Sequence, residues 1–219
     1  MLVAIVPSYN EAKRIGSVVR NLFNHVDLVV VVDDGSKDNT ATVAKEAGAI
    51  VLKHEINRGQ GASLQTGHDY ALMIGADQVL HFDGDGQFDV TDIEPALKKM
   101  KESKADILFG SRFLDNKSNM PFLKRYFIHP LGKIFNRIFF KIKLTDVHNG
   151  FRILNKRALE IIKIKQDRMA HATEIPAQVF KSDLHWVEFP VKVHYYTYGQ
   201  SGRGAIKIIK DLIFDNFIK

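Results

Sequence analysis

The chain of 219 residues carries a formal net charge of +6 and contains no cysteine. This length suits one domain with a sizeable core, and the lack of thiols excludes disulfide frameworks and thiolate metal sites. No apolar run reaches the roughly 18 residues needed to cross a bilayer. The opening segment, MLVAIVPSYNE, is predicted to form a buried strand rather than a signal peptide, so a cytoplasmic location is expected.

Strand-like and helix-like patterns alternate along the first half. Helices are predicted over 11–25, 37–49, 60–75 and 91–103, the last with Thr91 as its cap and Glu94 three residues on. Apolar runs such as LVVVVDDGS are typical of strands buried on both faces of a parallel sheet. The predicted strands begin near residues 2, 28, 50, 78 and 105. This order predicts a doubly wound, mostly parallel α/β sheet.

Polar side chains cluster where the predicted strands end. In such sheets, ligands bind beyond the carboxyl ends of the strands. Four strand ends therefore predict one site, although each cluster alone could be a set of caps and turns. These clusters are Pro7, Tyr9, Asn10 and Glu11, then Asp33 and Asp34, then Asp83 and Asp85, and finally Arg112.

The segment DGDGQ places two aspartates one residue apart after the fourth strand. In an extended segment Asp83 and Asp85 can point to the same side, where their charges repel unless a cation lies near. Oxygen ligands of this kind suit Mg²⁺ or Mn²⁺, and Gln87 offers another oxygen. Gly84 and Gly86 are expected to let a phosphate or sugar approach the backbone.

Taken together, PSYNE, VVDDGS, NRGQGASLQTG, DGDGQ, GSRF and TDVHNGFRIL resemble the family 2 glycosyltransferases with the GT-A fold. The closest likeness is to the branch that transfers mannose or glucose to dolichyl or polyprenyl phosphate, and it covers roughly residues 2 to 205. The resemblance implies a GT-A, Rossmann-like three-layer sandwich. It also implies an inverting, metal-dependent hexosyltransferase that uses a donor such as GDP-mannose or UDP-glucose.

The resemblance assigns roles to individual residues. Asp83, Asp85 and Gln87 would hold Mg²⁺ or Mn²⁺, and Arg112 would contact the diphosphate or the acceptor phosphate. Asp85, Arg112 and Asp146 are the candidate catalytic residues. The nucleotide-sugar site would comprise Pro7, Tyr9, Asn10, Glu11, Val32, Asp34, Asp83, Gly84 and Asp85. The acceptor site would comprise Arg112, Arg152, Ser201 and Arg203.

The acceptor decides whether a base is needed. A hydroxyl acceptor needs a carboxylate to remove its proton, and Asp146 is the best candidate. An acceptor phosphate is already largely ionised near pH 7. Asp146 would then orient an arginine, with Arg152 the expected partner, or cap a turn.

The second half of the chain is basic and suggests a membrane surface. Residues 101–219 contain 22 Lys and Arg against 11 Asp and Glu, whereas residues 1–100 contain 9 against 14. Between Lys117 and Lys143 basic residues alternate with aromatic and aliphatic ones and no acid occurs, which favours amphipathic helices on anionic lipid. A nucleic-acid module is not recognisable. A core-facing helix pair is the other interpretation.

The sequence therefore predicts a single domain over 1–219, with a nucleotide-sugar half (1–115) and an acceptor-facing half (116–219). The protein would bind peripherally to the cytosolic membrane face, with a membrane-protein partner as a further option. Three alternatives stay open. These are a glycosyltransferase for soluble or glycan hydroxyls, a sugar-1-phosphate nucleotidyltransferase, and a non-catalytic nucleotide-sugar binding module.

Overall fold

The computed structural model describes residues 1–115 and 143–194. The strands are β1 (Leu2–Ser8), β2 (Leu28–Asp33), β3 (Ile50–Lys53), β4 (Gln78–His81), β5 (Ile107–Ser111), β6 (Arg152–Asn155) and β7 (Trp186–Pro190). The helices are α1 (Ile15–Leu22), α2 (Thr40–Glu46), α3 (Gln60–Met73), α4 (Ile93–Glu102), α5 (Lys156–Ile161) and α6 (His171–Lys181). A single 3₁₀ turn, Val90–Asp92, precedes α4.

The described strands form one sheet in the order β3-β2-β1-β4-β6-β5-β7. Strand β6 runs antiparallel to both of its neighbours, and the other pairings are parallel. The predicted α/β class and mostly parallel sheet are confirmed. Strand β6 takes its place in the sheet by pairing with a distant part of the chain, because Arg152 of β6 lies opposite His81 of β4.

Alternate residues of the strands pack into two separate apolar layers, because successive side chains of a strand point to opposite faces of the sheet. Val3 and Ile5 of β1 face the layer that includes Leu64 of α3 and Ile175 of α6. Ala4 and Val6 face the layer that includes Ile15 of α1, Ala44 of α2 and Ile93 of α4. Helices thus cover both faces of the sheet, which is the three-layer arrangement expected from the sequence.

The start of α4 differs from its prediction. The Asp89 side chain accepts a hydrogen bond from the Thr91 backbone N–H at 3.1 Å, so Asp89, not Thr91, caps this segment. The helix proper begins at Ile93. The Thr91 assignment was wrong because a 3₁₀ turn between the cap and the helix leaves no trace in the apolar pattern.

Among the described helices, none combines the length and the apolar character that crossing a bilayer requires. The predicted interface helices between residues 117 and 143 lie outside the described residues, apart from Lys143 itself. The predicted division into two functional halves stays a prediction.

Candidate active site

A cavity of about 500 Å³ opens at the carboxyl ends of β1, β2 and β4. Each of the four strand ends singled out in the sequence contributes to it. The predicted site residues that line the cavity are Pro7, Tyr9, Glu11, Asp34, Asp83, Gly84, Asp85, Gln87, Arg112 and Arg152.

Two residues assigned to the nucleotide site do not line this cavity. Val32 is fully buried in the apolar layer beside Leu64, because alternation within β2 turns its side chain into the core. Asn10 is exposed, with a left-handed φ of 57°, and its side-chain oxygen accepts a hydrogen bond from the Lys37 N–H. Neither side chain lines the cavity, and the assignment of Val32 and Asn10 to the nucleotide site stays a prediction.

Asp34 forms one end of the cavity and is almost fully buried. Its carboxylate accepts hydrogen bonds from the backbone N–H groups of Arg58 and Gly59, at 2.9 and 2.6 Å. The glycine turn of NRGQGAS thus wraps around this carboxylate. Gly59 has φ +110°, and a Cβ there would lie 2.6 Å from the Asp167 carbonyl oxygen, so glycine is required.

Asp83 and Asp85 lie side by side in the cavity wall. Burial, followed by the charge of Asp85, raises the pKa of Asp83 to about 7. Burial likewise raises the pKa of Asp85. The Gln60 side-chain amide donates to Asp83 at 2.8 Å, and the Gln87 N–H donates to Asp85 at 3.0 Å.

Gly84, between the two aspartates, is explained by the protein rather than by a ligand. A Cβ at this position would lie 2.4 Å from the Ser8 hydroxyl oxygen and 3.3 Å from the Pro7 carbonyl oxygen. The end of β1 therefore requires glycine here, and the approach of a phosphate or sugar to Gly84, which lines the cavity, stays a prediction.

The donor set fits a divalent cation. Asp83, Asp85 and Gln87 supply carboxylate and amide oxygens, which Mg²⁺ and Mn²⁺ prefer. Burial is the first cause of both raised pKa values, and a cation between the two carboxylates would act against the shift. Among the described residues no group of three or more His, Cys, Asp or Glu side chains is placed to hold a metal alone. Substrate phosphates and water would have to complete such a shell.

Arg112 and Asp146 form a two-pronged ion pair. Arg112 Nε and Nη2 donate to the two Asp146 carboxylate oxygens, each at 2.7 Å. The Arg112 N–H and the Asn149 side-chain amide donate to the same carboxylate, at 3.1 and 3.2 Å. Asp146 has no exposed side-chain surface and is not among the residues that line the cavity. It orients Arg112, not the expected Arg152.

Arg152 is the other arginine of the site and has a different environment. It is 1% exposed, and none of its guanidinium nitrogens has a hydrogen-bond partner in the part of the chain that the structure describes. Burial lowers its pKa to about 10, although Asp83 and Asp146 oppose this shift, so Arg152 is charged at neutral pH. A buried cation without partners is costly unless an anion binds to it.

Buried histidines surround this guanidinium and stay neutral. Burial and then nearby cations, Lys163 before Arg152, lower the pKa of His68 to about 3. Burial and Arg152 lower that of His171 to about 4. The Nε2 atoms of His68 and His81 are 2.7 Å apart. Because these imidazoles are uncharged, they add no further positive charge beside Arg152.

Sequence reasoning missed several cavity residues. Gln60 holds Asp83, and Ser63, His148, Asn149 and His171 also line the wall. Gln60 lies inside the segment NRGQGASLQTG, one of the motifs that carried the resemblance, so a signal was present there. His171 is on α6, more than 80 residues from the acidic pair, and only the packing of α6 brings it close. Ser201 and Arg203 lie outside the described residues.

The family model described as "Glycosyl transferase family 2" matches residues 3–162. The chain belongs to glycosyl transferase family 2. The predicted family and the predicted glycosyltransferase activity are thereby confirmed.

Two relatives of this glycosyltransferase come from methanogens. The UDP-N-acetylglucosamine–dolichyl-phosphate N-acetylglucosaminyltransferase of Methanococcus voltae is 33% identical, over 98% of this chain and 93% of its own. The uncharacterized protein MJ1222 of Methanocaldococcus jannaschii is 34% identical, over 91% of this chain and 84% of its own.

A solved structure confirms the fold. Glucosyl-3-phosphoglycerate synthase from Mycobacterium tuberculosis, in complex with Mn²⁺, UDP and glucosyl-3-phosphoglycerate, superimposes with a TM-score of 0.75 at 15% identity. The match covers 97% of this glycosyltransferase and 77% of the synthase. At this identity the likeness supports the shared GT-A architecture and nothing finer.

Proposed function

We propose that this glycosyltransferase moves a sugar, with inversion, from a nucleoside-diphosphate donor to the phosphate of a polyprenyl or dolichyl lipid. The observation that carries the proposal is the engagement of Asp146 by Arg112. A hydroxyl acceptor needs a base, and the carboxylate predicted for that task is buried, bonded to an arginine and absent from the described cavity wall. A phosphate acceptor needs no base because its second ionisation lies near pH 6.

Arg152 supports an anionic acceptor. Arg152 is one of the residues that line the cavity, and its buried guanidinium nitrogens have no hydrogen-bond partner among the described residues. A phosphate monoester would supply both the charge and the oxygens that such a group requires. The dolichyl-phosphate acceptor named for the Methanococcus voltae relative agrees with this chemistry.

The reaction then needs no proton transfer. An oxygen of the acceptor phosphate attacks the anomeric carbon, and the bond from that carbon to the donor diphosphate breaks. The electron pair leaves with the nucleoside diphosphate. Asp83, Asp85 and Gln87 would hold Mg²⁺ or Mn²⁺, which stabilises negative charge on the leaving diphosphate when bound.

The remaining assignments belong to this proposal. Tyr9, Glu11 and Asp34 would bind the nucleoside, and Arg112, held by Asp146, would present its outer surface to the diphosphate or the acceptor phosphate. The anionic membrane surface, the peripheral location at the cytosolic face and a membrane-protein partner rest on the basic composition beyond residue 116.

The test is transfer of labelled sugar into butanol-extractable polyprenyl phosphate. GDP-mannose, UDP-glucose and UDP-N-acetylglucosamine are compared with Mg²⁺ and with Mn²⁺, using wild type, Asp85→Asn, and Asp69→Asn as a matched exposed control. We expect one donor to label the lipid, Asp85→Asn to abolish labelling, and Asp69→Asn to retain it. Label transferred only to a soluble sugar or glycan would overturn the lipid acceptor and favour the hydroxyl alternative. Nucleoside-diphosphate sugar made from a sugar 1-phosphate would instead indicate a nucleotidyltransferase.

A further inference from the structure

A chain of hydrogen bonds runs from the end of β2 to helix α3 through one histidine. His54 Nδ1 lies 2.7 Å from Asp34 Oδ1, and His54 Nε2 lies 2.9 Å from the Thr66 hydroxyl oxygen. The side chains of His54 and Asp34 are 10% and 5% exposed. The contact is therefore shielded from water, where hydrogen bonds to charged groups are strong.

The donors in this chain follow from the chemistry of its groups. An ionised carboxylate only accepts, so His54 Nδ1–H donates to Asp34. In the neutral imidazole Nε2 is then an acceptor, and the Thr66 hydroxyl donates to it. The Asp34 carboxylate thus selects the tautomer of His54, and the hydrogen bond to Thr66 of α3 helps to hold the orientation of the ring.

The hydrogen bond from His54 orients the Asp34 carboxylate and is not needed to hold the adjacent loop in place. Its Oδ1 accepts from His54 and from the Arg58 N–H, whereas Oδ2 accepts from the Gly59 N–H. The loop itself has independent anchors, since the His54 N–H donates to the Asp33 carbonyl at 2.9 Å and the Asn57 side chain donates to the Asp34 carbonyl at 3.2 Å. The imidazole therefore acts on the carboxylate rather than on the loop backbone.

We propose that His54 is a positioning residue for recognition of the donor's nucleobase. It holds the Asp34 carboxylate so that Oδ2 keeps acceptor capacity for a ring N–H of the base, a donor that uracil and guanine both present. This inference rests on the proposed function, because it requires that Asp34, at its end of the cavity, receives the base of a nucleoside diphosphate.

The experiment separates the base from the diphosphate. Calorimetric binding of UDP, GDP and inorganic pyrophosphate, each with Mn²⁺, is measured for the full chain and for His54→Leu, His54→Asn and Thr66→Val. His54→Asn keeps a side-chain N–H near the position of Nδ1, so it is the conservative rescue. His185→Leu is the matched control, because His185 is exposed and its ring contacts only the Lys104 carbonyl among the described residues.

We expect His54→Leu to bind the preferred nucleoside diphosphate about tenfold more weakly, with pyrophosphate affinity unchanged. His54→Asn should recover most of the loss, Thr66→Val should lose about threefold, and His185→Leu should match wild type. Equal nucleoside diphosphate binding by wild type and His54→Leu would overturn this inference alone. Parallel loss of pyrophosphate binding would also overturn it, since it indicates general disruption. Wild-type protein that binds pyrophosphate but neither UDP nor GDP would overturn the proposed function as well.

Discussion

Two carboxylates at opposite edges of the sheet, the buried Asp106 and the half-buried Asp83, have pKa shifts of opposite sign. Asp106, before β5, accepts hydrogen bonds from the Asn155 and Arg157 side chains and the His185 N–H. Although burial acts to raise its pKa, these donors hold the pKa below the ordinary value. Asp83, after β4, accepts a hydrogen bond from the Gln60 side chain, and burial raises its pKa to about 7. The donors around Asp106 thus outweigh its burial, whereas the single donor to Asp83 among the described residues does not.

The arginines at the two edges of the sheet, Arg157 and Arg152, differ in the same way as the two carboxylates. Arg157 pairs with Asp106 at 2.9 Å and with Asp183 at 2.6 Å, half exposed at the far end of the sheet. Arg152, at the cavity end, is buried, and its guanidinium has no hydrogen-bond partner among the described residues. Buried polar groups in proteins are normally satisfied. Arg152 is an exception among the described residues, and it lies in the wall of the cavity.

The largest effect is expected when the two carboxylates are neutralised in turn. Asp83→Asn should lower sugar transfer by about 100-fold or more, since it removes charge that a divalent cation would require. The same change should raise the free energy of unfolding at pH 8. The folded pKa of Asp83 lies above its unfolded value, so ionisation destabilises the folded protein as the pH rises through about 7.

Asp106→Asn should have the opposite outcome, with lower stability and nearly unchanged activity. It should lower the free energy of unfolding by about 1–3 kcal/mol, because Arg157 and the His185 N–H lose a charged acceptor. Transfer activity should stay within about twofold. Urea denaturation and transfer assays on both variants check the pair. A stabilised Asp106→Asn or a fully active Asp83→Asn would contradict the division between the two ends.

A smaller effect is expected from the arginines. Arg152→Gln should raise the KM for the lipid phosphate by about tenfold or more, with the KM for the donor little changed, because the guanidinium loses an anionic ligand. Its free energy of unfolding should change little, since the substitution removes the cost of burying the cation together with its attraction to Asp83 and Asp146. Steady-state kinetics with Arg152→Lys and Arg157→Gln alongside provide the comparison. An unchanged acceptor KM in Arg152→Gln would exclude it from the acceptor site.

The smallest effect is a loss of stability in mild acid. His68 and His171 have folded pKa values of about 3 and about 4, below the unfolded value of 6.5. Between these values the unfolded chain binds more protons, so stability falls as the pH drops below 6.5. The slope should approach about 1.4 kcal/mol per pH unit for each histidine.

His171→Gln should reduce that slope by the share of one histidine. Urea denaturation between pH 7.5 and 5 measures it, with the exposed His185→Gln as the control. A slope that His171→Gln leaves unchanged would show that His171 is already protonated in the folded protein or is exposed to water.

The sequence by itself determined the alternation of strands and helices, because β-branched runs, apolar periodicity and polar strand ends are local signals. It also determined that Asp34, Asp83 and Asp85 line one cavity, since the carboxyl ends of parallel strands share one edge.

Only the tertiary structure decided which polar groups have hydrogen-bond partners. The pairing of Arg112 with Asp146 spans 34 residues, and the isolation of Arg152 depends on a strand that enters the sheet between β4 and β5. The link from Asp34 through His54 to Thr66 likewise depends on how α3 packs beside β2. Hydrogen bonds across such separations depend on packed geometry, and residue type alone does not specify it.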